Sequence, residues 1–344
     1  MPRTSTPNET SSVARIVCGA SIVRRILQWC GQLKIKCRHT GTEIIRMLDA
    51  RLHGKAQFRH FWSNFREGED RAADRFLFST LEEHPLVIGS VFGRSRKTVD
   101  VLYSGECIRD LCYRDGCFIW ANRWGAGKAR WFFGIPRIDH PRAFWQPHFY
   151  HKWAMYRDQR YAELPMLRQA EKEFGISVVM SNFRLGDLAH RRFAIAHALS
   201  QFVPVHANRA MSIGAPADSR VIYHDIPFGY KHKLRFLSSY THNLCFENES
   251  FPGYLTEKLF DALYAGVVPL YAGDPLAGEW FEEGSYVDCI ALEAEEIGAI
   301  VRSDSGMMEN VSQRRDALCR VSFEEMEERT KKFHRQILAE RNLA

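Results

Sequence analysis

Side chains that can bind an anion and sugar-like hydroxyl groups cluster between residues 243 and 275. Thr256 precedes a helical run that ends near Ala265 and is a candidate N-cap, which would point free backbone N–H groups at the preceding loop. Lys258 adds a positive charge in the first turn, where the helix dipole favours an acid and a bound anion would compensate it. The pattern predicts a diphosphate site at this helix start.

Carboxylate and amide side chains flank that site. Glu247 and Asn248 end an apolar run, and Glu257 stands beside Lys258. Such groups accept hydrogen bonds from the paired hydroxyls of a sugar. Taken singly, the same residues are equally well explained by loop capping, by turn formation or by an exposed lysine on an ordinary helix.

The whole stretch resembles the donor-site segment of the α1,3/4-fucosyltransferases, glycosyltransferase family ten. The resemblance rests on Phe-Glu-Asn at 246–248, Tyr-x-Thr-Glu-Lys at 254–258, a helix ending in Ala265, and Pro-x-x-x-Gly at 269–273. In that family the Asn, Tyr, Glu and Lys of this pattern contact GDP-fucose. The resemblance therefore implies donor contacts for Asn248, Tyr254, Glu257 and Lys258, and we add Glu247 as a further donor-binding candidate.

An upstream segment resembles the family's Ser-Asn, Arg, Leu pattern. Here it reads Ser181-Asn182, then Arg192, then Leu199 seven residues later. The resemblance implies that Arg192 pairs with the donor phosphates. Arg191 stands beside it, so the spacing leaves both arginines open, and a solvated helix arginine is the simpler alternative.

Glu106 is the candidate catalytic group in the first half of the chain. It follows the apolar run Val101–Tyr103 and Gly105, which places a carboxylate at the C-terminal end of a strand, where open α/β sheets bind ligands. Ser-Gly-Glu resembles the family's (T/S)GE motif and implies a general base. Cys107 follows where many relatives have Asn, and an ordinary turn glutamate is the alternative.

The resemblance implies an inverting transferase, a bacterial-type cytoplasmic member of the family, that moves L-fucose from GDP-L-fucose to a glycan hydroxyl. The expected acceptor position is O3 of GlcNAc in a β-galactoside-containing glycan, rather than O4. Two alternatives are a GT-B transferase using another nucleotide sugar such as GDP-mannose, and a basic, aromatic nucleic-acid-binding protein. We expect no required cofactor and no metal in the site, because the sequence has no Asp-x-Asp triplet; a divalent cation would at most stimulate activity.

Length and element order predict two α/β domains. The 344 residues, with 45% hydrophobic and 26% charged, suit a folded two-domain chain. Strand-like runs alternate with helical runs, which indicates βαβ units and parallel sheets. With the resemblance, the expected fold is GT-B-like, with two Rossmann-like domains facing each other across a cleft. We predict an N-terminal extension at 1–56, an acceptor-binding domain at 57–170, and a GDP-fucose-binding domain with a closing C-terminal helix at 171–344.

The N-terminal extension is strongly basic. Residues 1–60 hold 11 Lys/Arg and 3 Asp/Glu, a net charge of +8 in a chain of net charge +6. Apolar residues between Val13 and Cys30 fall on one helical face, but three arginines interrupt the run, so neither a signal peptide nor a membrane-spanning helix is expected. Residues 12–38 are a candidate peripheral membrane contact, and packing on the protein's own surface is the alternative. We expect a cytoplasmic protein that can lie on the inner face of the membrane, with its nine cysteines reduced.

Residues 120–161 combine 12 aromatic residues with 8 Lys/Arg. We interpret this stretch as a loop-rich surface that binds the acceptor glycan, because aromatic rings stack on the apolar faces of sugars. A domain interface is the alternative.

Overall fold

The computed structural model describes residues 57–59, 77–78, 80–81, 83–91, 96–105, 110–122, 125–157, 171–180, 186–227, 229–303, 306–314 and 318–342. The chain divides into two compact units. The larger unit, Phe58–Leu81 with Val87–Ala344, contains both β-sheets apart from Gln57. The smaller unit, Met1–Gln57 with Glu82–Leu86, is described only at Gln57 and residues 83–86. The predicted extension at 1–56, including the candidate membrane contact at 12–38, lies outside the described residues.

The first sheet has seven strands: β1 Gln57–Arg59, β2 Val87–Ser90, β3 Arg96–Ser104, β4 Asp110–Arg114, β5 Cys117–Asn122, β6 Gly125–Gly134 and β7 Ala143–Trp145. Their order is β1-β2-β3-β6-β5-β4, with β7 beside the last residues of β6. Strands β2, β3 and β6 are parallel, so the end of β3 at Ser104 lies opposite the end of β6 at Gly134. This shared edge positions Gly105, the residue that follows β3.

Strands β4, β5 and β6 run antiparallel, which the sequence analysis did not anticipate. Asp115 and Gly116 form the two-residue turn between β4 and β5, both with positive φ, at 52° and 75°. Asp-Gly is the preferred pair for a type I′ hairpin turn, because both central residues need a left-handed conformation. The first sheet is therefore mixed.

The prediction of a loop-rich surface at 120–161 was wrong. The stretch contains the second half of β5, all of β6 and β7, and helix α1 (Phe149–Tyr156), all of whose residues are buried. Along β6, Lys128 and Arg130 are exposed while Ala129 and Trp131 are buried, which is the period-two pattern of a half-buried strand. The basic residues therefore mark the outer face of a strand. The aromatic rings, including Trp120, Trp131, Phe132, Phe133 and Tyr150, belong to the core.

The second sheet has six strands, all parallel, as the alternation of strands and helices predicted. They are β8 Glu173–Val178, β9 Val205–Asn208, β10 Ile222–His224, β11 Tyr240–Leu244, β12 Val268–Tyr271 and β13 Val287–Asp288. The order β10-β9-β8-β11-β12-β13 is the 3-2-1-4-5-6 order of a Rossmann fold, which reverses direction between β8 and β11. Ligands of such sheets bind beyond the strand ends at that reversal.

Three helices of the described residues connect these strands: α2 Asp187–Leu199, α3 Tyr230–Ser238 and α4 Lys258–Tyr264; α5 Ala294–Ser303 follows β13. Helices α6 (Met307–Arg314) and α7 (Phe323–Asn342) follow. The predicted closing helix is thus present as α7, and it packs on the first sheet, where the Phe333 ring contacts Trp131 and Phe144. Within the described residues, no helix is both long and apolar enough to cross a bilayer.

Candidate functional site

The Phe-Glu-Asn motif lies at the reversal of strand order in the second sheet. Strand β11 ends at Leu244, and the chain continues beside β12 through hydrogen bonds from Cys245 N to Leu270 O (3.0 Å) and from Glu247 N to Ala272 O (2.8 Å). This pairing turns Glu247 into the interior, with no exposed surface, and leaves Asn248 half-buried. The motif therefore occupies the position where a Rossmann sheet binds its ligand.

Glu247 holds the Thr-Glu-Lys segment in place. Its two carboxylate oxygens accept hydrogen bonds from Thr256 Oγ1 at 2.8 and 2.6 Å, and Oε1 also accepts from Thr256 N at 2.8 Å. Lys258 Nζ lies 2.9 Å from Glu247 Oε2 and donates to Thr256 Oγ1 at 2.9 Å. Both carboxylate oxygens of Glu247 thus bond to groups of the protein itself, so Glu247 acts as the ion-pair partner of Lys258.

Thr256 is not the N-cap that the sequence suggested. Helix α4 begins at Lys258, its N-cap is Glu257 in a helical conformation, and no side chain caps it. The hydroxyl of Thr256 donates to the buried Glu247 carboxylate instead of capping the helix. A hydrogen bond to an ionised carboxylate is stronger than one between a hydroxyl and a backbone amide. Anion binding at this point therefore depends on cationic side chains.

Arg192 and Arg191 point to different parts of the domain. Arg192 is 3% exposed, and its guanidinium donates to Phe246 O and, at 3.3 Å, to Asn248 Oδ1. Its Nε is buried without a hydrogen-bond partner among the described residues. Arg191 instead donates to the carbonyls of Ile290 and Leu292, after β13. The Arg191 guanidinium lies over the Phe246 ring, 5.6 Å from its centroid, but it is Arg192 that hydrogen-bonds to the Phe-Glu-Asn motif.

Lys233 on α3 is a third cation at this site, and the sequence analysis missed it. Its Nζ lies 2.5 Å from Asp261 Oδ2 and 3.7 Å from Glu257 Oε1. Tyr156 donates to the other oxygen of Asp261 at 2.6 Å. Burial alone would lower the pKa of Lys233, but Asp261 and Glu257 raise it above its ordinary value, so this lysine is charged.

Glu257 is held between two chain segments. Oε2 lies 3.3 Å from Nδ1 of His148, the residue that precedes α1, and Oε1 faces Lys233. Burial would raise the pKa of Glu257, but Lys258, His148 and Lys233 together hold it well below its usual range. Glu257 is therefore an ionised acceptor in a nearly dry site.

Arg192, Lys233 and Lys258 line one recess beyond the ends of β8 and β11, together with Val179, Asn243, Leu244 and Cys245. The two lysines have carboxylate partners, whereas Arg192 has none within 4.0 Å among the described residues. A buried cation without an anionic partner is costly, and a ligand with negative charge removes that cost. The charges suit phosphate oxygens, but the recess encloses only about 10 Å³, so a diphosphate would need it to open.

Tyr254 lies in the wall of the loop at 249–257 and is 2% exposed. The loop is fixed at Gly253, whose carbonyl accepts from Trp145 Nε1 at 3.1 Å and whose amide donates to Asp274 Oδ1 at 2.9 Å. A Cβ at Gly253 would approach Arg137 N to 2.6 Å, and its φ is +82°, so only glycine fits this contact. The loop that carries Tyr254 is therefore attached to β7 of the first sheet.

Glu106 lies outside the described residues, as do Ser181 and Asn182. Strand β3 ends at Ser104, and Gly105 is described. Gly105 lies against the ring of His148, since a Cβ at Gly105 would come within 2.8 Å of His148 Cδ2. Gly105, which precedes Glu106 in the sequence, thus lies next to the residue that contacts Glu257.

Metal ligands are not grouped in the part of the chain that the structure describes: no cluster of three or more His, Cys, Asp or Glu side chains there could hold an ion. The charged groups around the recess are cations and the carboxylates that pair with them.

Residues 169–297 match the family model described as glycosyltransferase family 10 (fucosyltransferase), C-terminal. The α-(1,3)-fucosyltransferase FucT of Helicobacter pylori is 43% identical over 61 residues, which cover 18% of this chain and 13% of that protein. The α-(1,3)-fucosyltransferase B of Drosophila melanogaster is 45% identical over 47 residues, 14% of this chain and 11% of that protein. The matched segments thus span about an eighth or less of these curated relatives.

The fold extends the likeness beyond these segments. A crystal structure of an α1,3-fucosyltransferase with GDP-fucose aligns with a TM-score of 0.56 over 83% of this chain and 90% of that chain, at 20% identity. The predicted GT-B arrangement of two Rossmann-like domains is thereby confirmed.

Proposed function

We propose, on the match of residues 169–297 to glycosyltransferase family 10, that the chain transfers L-fucose from GDP-L-fucose to a hydroxyl of a glycan. The observation that carries the proposal is the recess at the reversal of the second sheet, which Arg192, Lys233 and Lys258 line together. A pyrophosphate is the ligand whose charge suits three convergent cations. The sugar would then lie toward Glu257 and Asn248, which are acceptors of the kind that bind hydroxyl pairs.

The proposed reaction is a single displacement at the fucose anomeric carbon, with inversion. Glu106 takes the proton of the acceptor hydroxyl as its oxygen attacks, and GDP leaves from the opposite face. Negative charge then develops on the β-phosphate, where Arg192 and Lys258 are already held in position by Phe246 O and Glu247. Such preorganised charges stabilise a transition state without reorganising during the reaction.

Glu106 as general base is tested by Glu106→Gln. General-base catalysis is typically worth about 10²–10⁴ in rate, so turnover should fall by that factor while GDP binding, measured by calorimetry, stays intact. Unchanged turnover would exclude Glu106 from this role.

The acceptor that the resemblance favours is O3 of GlcNAc within a β-galactoside-containing glycan. A transferase for another nucleotide sugar, such as GDP-mannose, is the competing proposal. A panel of GDP-fucose, GDP-mannose and UDP-sugars, assayed for acceptor-dependent nucleotide release, separates the two. Release from GDP-fucose alone supports the proposal, and release from GDP-mannose at equal or higher efficiency contradicts it.

Nucleic-acid binding, the other alternative, loses its basis in the structure. That reading depended on basic residues interleaved with stacking rings at 120–161, and the rings of Trp120, Trp131 and Phe132 are buried in the core. The recess of the second sheet would also have no role in it.

We propose that side-chain cations take the place that a divalent ion has in other nucleotide-sugar transferases. Turnover should then persist in EDTA, with at most a modest increase on adding Mg²⁺ or Mn²⁺. Loss of all turnover in EDTA, restored by one of these ions, would refute this.

A peripheral membrane contact through residues 12–38 is a separate proposal, supported by the basic, amphipathic sequence. Removing residues 1–50 and comparing soluble and membrane fractions tests it, since unchanged partitioning contradicts the proposed contact.

A further inference from the structure

His148 is fixed in place by its backbone. It precedes α1, and its amide donates to Leu255 O at 3.0 Å, directly before the Thr-Glu-Lys segment. Neighbouring Gln146 is anchored through Nε2 to Thr330 Oγ1 of α7 at 3.0 Å. The ring of His148 therefore projects from a rigid junction between the two sheets.

One edge of that ring meets Glu257. Nδ1 lies 3.3 Å from Oε2, and the two side chains are only 17% and 19% exposed. The second carboxylate oxygen faces Lys233 Nζ at 3.7 Å. Two groups from different elements thus restrain the carboxylate plane, which leaves fewer rotamers to be lost when a ligand hydroxyl binds.

The opposite edge of the ring faces Gly105. A Cβ at Gly105 would lie 2.8 Å from Cδ2 and 3.0 Å from Nε2 of His148, closer than carbon atoms can normally approach. Gly105 directly precedes Glu106. The same ring therefore touches the residue that binds the donor sugar under the proposed function and the segment that leads to the proposed base.

We propose that His148 is a positioning residue for the sugar half of the donor: it holds Glu257 for the fucose hydroxyls and sets the spacing between Glu257 and the segment after β3. This inference rests on the proposed function. The cations of the recess keep their main contacts without His148: Arg192 is held by Phe246 O and Lys258 by Glu247. Lys233 also touches Glu257 at 3.7 Å, but its nearer partner is Asp261 at 2.5 Å. Loss of His148 should therefore affect binding of the sugar and leave binding of the nucleotide unchanged.

The test compares His148→Leu with His148→Asn. Leu keeps the bulk of the ring and donates nothing, whereas the Asn side-chain amide can take the position of Nδ1. For His148→Leu we expect KM for GDP-fucose to rise roughly ten- to a hundredfold, the size of one lost hydrogen bond to a charged group, with the Kd of GDP within about twofold. His148→Asn should recover most of the loss. His190→Ala, on the exposed face of α2, is the matched control.

Each other outcome overturns the inference. An equal rise in the Kd of GDP would indicate general damage to the fold, an unchanged KM would exclude His148 from positioning, and failure of His148→Asn to recover would exclude the hydrogen bond. Gly105→Ala supplies a second line of evidence, because the added Cβ would displace the His148 ring from its other edge. This variant should raise KM for GDP-fucose without weakening the binding of GDP. If the unaltered protein turns over no GDP-fucose, the proposed function fails; if it does and His148→Leu matches it, only this inference fails.

Discussion

Asp274 allows a quantitative test of how the loop at 249–257 is held. Its Oδ1 accepts hydrogen bonds from Gly253 N and Leu276 N, both at 2.9 Å, while Oδ2 is buried without a partner among the described residues. The residue is 3% exposed. Burial raises the pKa of Asp274 from 3.8 to about 6, against the lowering effect of the two backbone donors.

The sign of the pH dependence follows from that shift. Between pH 3.8 and about 6 the folded protein retains a proton that the unfolded chain has lost, so the free energy of unfolding falls as pH rises through this window. A pKa shift of about two units corresponds to roughly 3 kcal/mol in the free energy of unfolding, and this stabilisation is fully lost above pH 6. Asp274→Asn keeps the acceptor for both amides and does not titrate. Its stability relative to the unaltered protein should therefore rise by about 3 kcal/mol between pH 4 and 7.

Urea denaturation of both proteins at half-unit intervals of pH gives the difference curve. The amide introduced by Asp274→Asn costs a constant free energy because its NH₂ has no partner among the described residues, but this cost is independent of pH and leaves the shape of the curve unchanged. A flat difference between pH 4 and 7 would show that Asp274 is ionised throughout and that the loop is not held by a protonated acid. A curve that falls with rising pH would contradict the sign.

Three further predictions use the same structure. Arg192→Gln should weaken GDP binding by at least about tenfold in calorimetry, because it removes a charge-assisted phosphate contact. Arg191→Gln should lower thermal stability and leave GDP affinity within about twofold. Equal losses of GDP affinity in the two variants would contradict the different roles given to these arginines. Burial lowers the pKa of His334 from 6.5 to about 3, so its contribution to stability is present above pH 6.5 and is lost as pH falls toward 3. His334→Gln should reduce this loss of stability in acid, measured as Tm over a series of pH values. An unchanged dependence of Tm on pH would refute the prediction. Gly116→Ala should cost roughly 1–2 kcal/mol in urea denaturation, since φ is +75° and no atom lies within 4 Å of the new Cβ; a neutral result would exclude the type I′ turn.

Some features that the sequence analysis missed were readable in the sequence. Asp115-Gly116 between two apolar runs is a strong hairpin signal, and the alternation of Lys128, Ala129, Arg130 and Trp131 has the period of a strand. The count of charges and rings at 120–161 obscured both. The parallel strands of the second sheet followed more directly, because short apolar runs alternated with helices of ten or so residues.

Other features depend on long-range contacts that no local pattern contains. Glu247 and Asn248 are adjacent in sequence, yet pairing of their segment with β12 buries one completely and leaves the other half-exposed. Lys233 and His148 reach Glu257 from α3 and from the start of α1. Only the folded chain brings such residues together, so the sequence could predict a candidate donor motif but not what holds that motif in place.

The charge arrangement of the recess assigns different tasks to its three cations. Lys258 is paired with Glu247, and Lys233 with Asp261 and Glu257, so both lysines are already compensated when no ligand is bound. Among the described residues, Arg192 bonds only to a carbonyl and an amide oxygen, and its burial lowers its pKa. A diphosphate would therefore gain most at Arg192, where it supplies a missing counter-charge, and less at the lysines, where it competes with carboxylates. Removing the arginine should for this reason cost more GDP affinity than removing either lysine.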